Sequence, residues 1–148
     1  MTVRTLITAA TFGLAAVVAA YAAEPQEVRQ EMMKQVGGAT GAMAKMVKGQ
    51  EDFDQAKVIE ALTTISSSMA EFPAQFPEGS ETGMDTEAAP AIWEKKDDFE
   101  AKAMSLKEEA DAGIANPPAD LDGLKAMFGP LTKSCGSCHE TYRLKKEG

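Results

Sequence analysis

Four stretches of this chain carry apolar residues at alternating steps of three and four, and that spacing commits it to helices packed along their lengths. The last stretch is the most regular: Leu121, Leu124, Phe128, Leu131, Cys135, Cys138 and Tyr142 step by 3, 4, 3, 4, 3 and 4. Val28, Met32, Val36, Ala39, Met43 and Met46 form a first stripe, and Val58, Leu62, Ile65, Met69 and Phe72 a second. Ile92, Phe99, Ala103, Leu106 and Ala110 form a third, with Trp93 read as core beside Ile92. No strand-like alternation competes with these stripes.

Glycine and proline set the expected limits. The first helix should run from about Pro25, tolerated in a first turn, to Lys48 and stop at Gly49. Asp52 with Gln55 resembles a capping box for the second helix, and Pro73 should end it. Pro73, Pro77, Gly79, Ser80 and Gly83 mark a long crossover, after which Pro90 opens the third helix and Asn116-Pro117-Pro118 closes it. Gly129-Pro130 falls inside the fourth stripe and should kink or split that helix. The fold class that follows is all-α, an antiparallel four-helix bundle. Aromatic residues make up only 6% of the chain, so aliphatic and methionine side chains must fill the core.

Residues 1–22 read as a signal peptide, with Arg4 in a positive first region, an apolar run from Leu6 to Ala19, and Ala20-Tyr21-Ala22 as a small-x-small cleavage site. The run is short for a membrane span. The expectation is export to the periplasm, with 23–148 as the mature domain and no membrane attachment once the signal is removed. Removal takes away only Arg4 and leaves 14 basic against 23 acidic side chains, a net of −9. Leu124 to Gly148 alone carries a net of +3, so the rest carries −12. An acidic body argues against nucleic acid and anionic membrane as partners.

Both cysteines of the chain and its single histidine lie in Cys135-Gly136-Ser137-Cys138-His139. A disulfide across two residues would constrain the unfolded chain little. Thioredoxin-like exchange expects a βαβ setting, which is missing. Structural zinc needs four ligands, and this set has three. The remaining chemistry is the c-type haem attachment signature, C-x-x-C-H. Cys135 and Cys138 would each bond one vinyl group of the porphyrin, and His139 would then stand beneath the iron as an axial ligand. One cofactor, a single covalent haem c, thus uses all three residues.

A C-x-x-C-H near the end of a four-helix bundle resembles the class II cytochromes c, which comprise cytochromes c′ and the low-spin cytochromes c-556. The resemblance spans Glu24 to Lys146 and rests on "RQEMMK", "KGQEDFD", "FPAQFPEGSETG", "AIWE" and "CGSCHETYRLKK". It implies the thioethers at Cys135 and Cys138 and a proximal ligand at His139 on a solvent-accessible side. It also implies a basic residue, Arg143, one turn beyond His139, and a first-helix arginine, Arg29, that reaches a haem propionate. Met33, one turn after Arg29, would face the distal side of the iron.

Met33 decides between two functions. A thioether is a soft ligand suited to haem iron. If Met33 binds, the iron is six-coordinate and low-spin, and the protein is an electron carrier of the c-556 kind with transient, salt-sensitive redox partners. If Met33 only packs, the alternative is a five-coordinate cytochrome c′ that binds NO or CO. Met32 lies on the buried stripe and should pack. Met43 and Met46 have ordinary core spacing, not that of a copper site. The absence of a second histidine to move protons disfavours an enzyme such as a peroxidase. The resemblance also allows a homodimer through the first two helices.

Overall fold

The fold was obtained as a computed structural model that describes residues 24–145. The expected signal peptide, residues 1–22, lies outside the described residues. Among the described residues five α-helices follow in order: α1 Pro25–Val47, α2 Gln55–Glu71, α3 Ala91–Glu94, α4 Lys96–Ala115 and α5 Leu121–Tyr142. A 3₁₀ turn, Phe72–Gln75, continues from α2. The long helices α1, α2, α4 and α5 make an antiparallel four-helix bundle, and among the described residues the one strand-like feature is an isolated bridge between Ala88 and Arg143.

The stripes become the core. Met43, Met46, Val58, Leu62, Ile65, Phe99, Ala110, Leu124 and Leu131 are all buried. Such burial is what stabilises helices of this length, since isolated helices are marginal in water. Among the long helices that touch, contacts are densest where α2 meets α4 and α1 meets α2, and thinnest between α1 and α5. That thin seam holds the candidate site.

Three local expectations change. The N-cap of α2 is Asp54, whose side chain accepts from the Lys57 amide, and not Asp52. The third helix is not continuous from Pro90, because Lys95 at φ −130° and ψ 48° separates α3 from α4. Trp93 pins the short α3 by donating Nε1–H to the Pro77 carbonyl at 3.2 Å. Pro130, finally, does not split α5. Its ring sits on an exposed face, as does Ala126, whose carbonyl is the one proline leaves unpaired, so water can satisfy it. Thr132 also donates its hydroxyl to the Phe128 and Gly129 carbonyls at 2.9 and 3.0 Å.

Candidate functional site

Between α1, α4 and α5 lies a cavity of about 960 Å³, in the upper part of the range usual for cofactor sites. Apolar side chains dominate it, among them Met33, Val36, Met69, Phe72, Phe99 and Leu106. From α5 come Cys135, Cys138 and His139, with Tyr142 and Arg143 beyond them. Met33 lines this same cavity from α1, while Met32 is not in the wall.

The α5 spacing explains the arrangement. Cys135 and Cys138 are half-buried on the apolar stripe, whereas His139 is more exposed at the cavity's edge. The turn before Cys135 is tied to α4, because Ser134 donates its hydroxyl to Glu109 Oε1 at 2.6 Å. Tyr142 is buried with its hydroxyl donated to the Asp98 carboxylate. Burial first, and this carboxylate second, push the Tyr142 phenol up to about 12.

Electrostatics suits the motif. Burial pushes the thiols of Cys135 and Cys138 up, so both stand as neutral thiols. Burial, followed by the charge of Arg143, draws His139 down from its ordinary value, with Glu87 opposing. A neutral imidazole is the form that binds a metal. Arg143 itself is paired, Nε donating to Glu87 Oε2 at 2.5 Å.

Arg29 is 3% exposed, unusually deep for an arginine. Its guanidinium lies over Phe76 and Trp93, 4.8 and 5.8 Å from the ring centres. One terminal nitrogen donates to the Gln75 carbonyl and Ser80 Oγ at 3.3 and 3.2 Å. The other donates to the Ser80 carbonyl and Thr86 Oγ1 at 2.8 and 2.6 Å. The crossover therefore accepts from both terminal nitrogens.

The wall fits a flat, mostly apolar group that is bonded along one edge. Gly37 and Gly41 line it one turn apart on α1, and a Cβ at either would meet no atom within 4 Å. Their missing side chains leave a cradle beside Met33. These two glycines, along with Thr86 and Glu87 of the crossover, are site residues that motif reading missed. The i, i+4 glycine pair was the available signal, since each glycine inside a helix costs about 1 kcal/mol and is kept for a reason.

Residues 24–143 match the protein family described as Cytochrome C'. The chain belongs to the cytochrome c′ family. It is 51% identical over 146 residues to the cytochrome c-556 of Agrobacterium fabrum (strain C58), with 99% of each chain covered. It is 41% identical over 121 residues to the cytochrome c′ of Rhodopseudomonas palustris, with 80% of each covered. The solved cytochrome c′ from Rhodopseudomonas palustris superposes with a TM-score of 0.81 at 38% identity, covering 85% of this chain and 100% of that one. This family member thus carries covalent haem c, and the cavity beside Cys135 and Cys138 has the shape and donors to receive it. Among the described residues, no helix is long and apolar enough to cross a membrane.

Proposed function

We propose that the protein is an exported, periplasmic electron carrier of the c-556 kind, with His139 and Met33 as the two axial ligands of a low-spin haem. The observation that carries this reading is the shared cavity: Met33 enters it from α1, and Cys135, Cys138 and His139 enter it from α5. The similarity to a cytochrome c-556 along nearly the whole chain supports the same choice.

Bound haem c supplies a one-electron Fe(III)/Fe(II) couple. The chain's own residues do the rest. Cys135 and Cys138 tether the porphyrin edge to α5. His139 presents a neutral imidazole, helped by burial and by the nearby Arg143. Met33 offers a neutral sulfur, so neither ligand position changes charge with the couple. Phe72, Phe99 and Leu106 exclude water. Arg29 adds a buried positive charge toward a propionate. His139 lies at the exposed rim, so electrons pass to transient partners without a channel, at rates that fall with salt.

The test is the ferric visible spectrum of the wild-type protein and of Met33→Ala at neutral pH. The expected result is a low-spin spectrum with a far-red sulfur-to-iron band, converted to high-spin by the substitution. A high-spin wild type, unchanged in Met33→Ala and binding CO when reduced without losing a ligand, would establish the five-coordinate, gas-binding reading instead.

A further inference from the structure

The two arginines of the site stand in mirrored positions. Arg29 is one turn before Met33 on α1, and Arg143 is one turn after His139 at the end of α5. Their partners are adjacent in the crossover: Arg29 donates to Thr86 Oγ1 at 2.6 Å, and Arg143 to Glu87 Oε2 at 2.5 Å. The backbone reinforces the second attachment. The Ala89 amide donates to the Tyr142 carbonyl at 3.0 Å, and the Leu144 amide to the Glu87 carbonyl at 2.8 Å.

The first attachment is equally built. Gln26 Nε2 donates to the Thr82 carbonyl at 2.9 Å and Gln30 Nε2 to the Met84 carbonyl at 2.8 Å, flanking the Arg29 contacts. The α1 N-terminus has no side-chain cap of its own. Direct packing of α1 on α5 is sparse, because the cavity lies between them. What joins the Met33 turn to the His139 turn is thus a short strap of crossover residues with an arginine at each end. Within it, Met84 and Asp85 both hold φ at +51°. A non-glycine residue in this left-handed region is strained, which the surrounding contacts must offset.

We propose that Thr86 and Glu87, acting through Arg29 and Arg143, set the separation of the two axial-ligand positions and so hold the sixth ligand on the iron. They are positioning residues, since neither is a ligand. The inference rests on Met33 ligation. Loosening the strap lets the α1 turn swing outward and Met33 leave more often, while His139 stays fixed by the tethered cysteines.

The experiment is carbon monoxide binding to the reduced holoprotein, because CO must wait for Met33 to leave. Thr86→Val, which removes the oxygen that accepts from Arg29 and from the Ala88 amide, and Glu87→Gln, which removes the charge from the Arg143 pair, are each expected to raise the CO association rate on the order of tenfold. Thr86→Ser, which keeps the hydroxyl, should restore the wild-type rate. Leu62→Val, a core change outside the cavity wall, should leave the rate unaltered, which separates positioning from general destabilisation. If Thr86→Val fails to mature with haem, Glu87→Gln carries the test at a side chain that is 31% exposed. A low-spin wild type that loses its sixth ligand in Met33→Ala, but whose strap variants bind CO at the wild-type rate, overturns the strap proposal alone. A high-spin wild type unaffected by Met33→Ala overturns the ligation reading and the strap with it.

Discussion

Gly113 and Gly37 occupy two seams of one bundle for opposite reasons. Where α4 meets α2 and α5, a Cβ on Gly113 would stand 2.7 Å from Met127 Sδ and 2.8 Å from Leu62 Cδ1, so the glycine permits close approach. Along α1, a Cβ on Gly37 would meet nothing within 4 Å, so the glycine leaves room. The first seam is completed by protein alone. The second faces the cavity and is completed by the cofactor. Cross-links follow the same division: Ser66 and Lys107 both reach Asp111 at 2.5 Å across and along the closed seam, whereas the open seam is spanned by the strap.

Removing the cofactor should break the comparison most severely. Cys135→Ala with Cys138→Ala leaves the apolar wall without a tethered occupant, and a domain stable by about 5–15 kcal/mol is then close to unfolding. Urea denaturation should show a much lower midpoint. Hydrogen exchange should show loss of protection in α1 first, with α2 and α4 the last to open.

Next in size, Leu62→Ala attacks the closed seam. Leu62 is fully buried, so the expected cost is about 2–5 kcal/mol by urea denaturation. Because Leu62 is outside the cavity wall, the haem spectrum of the folded protein should be unchanged.

A third test uses pH. The folded-state phenol of Tyr142 is raised to about 12, above the ordinary value of about 10. Its contribution is therefore complete below about pH 10 and fades as pH rises from there through about 12, where the folded form also ionises. The urea midpoint should fall across that window, and Tyr142→Phe should make the fall shallower.

The smallest effects come from the glycines themselves. Gly113→Ala should destabilise by about 1 kcal/mol, since overpacking of about 1–3 kcal/mol is offset by gained helix propensity of about 1 kcal/mol. Gly37→Ala should show no such penalty in a haem-free cysteine variant but should perturb the haem spectrum of the holoprotein. Urea denaturation and visible spectra respectively read the two effects.

Much of this was legible in the chain. The stripes gave the four long helices because burial of one face is a periodic requirement, and Cys135, Cys138 and His139 were legible because one covalent cofactor demands fixed spacing. The break at Lys95 was not, since it depends on how Trp93 meets Pro77 across the crossover. Pro130 was expected to kink or split α5, and the helix runs unsplit through it, with Pro130 and Ala126 on an exposed face where water can satisfy the freed carbonyl. Arg29 was singled out as a partner for a propionate, but its contacts with Ser80 and Thr86 were not readable, because an irregular crossover has no period from which to read contacts.

The measurement that bears most directly on the account is the proton NMR spectrum of the fully reduced protein. If Met33 completes the open seam by binding the iron, its ε-methyl lies directly over the porphyrin and appears as a single three-proton line shifted far upfield, absent in Met33→Ala. A reduced wild-type protein whose spectrum is broadened by high-spin iron, with no such line, would contradict it.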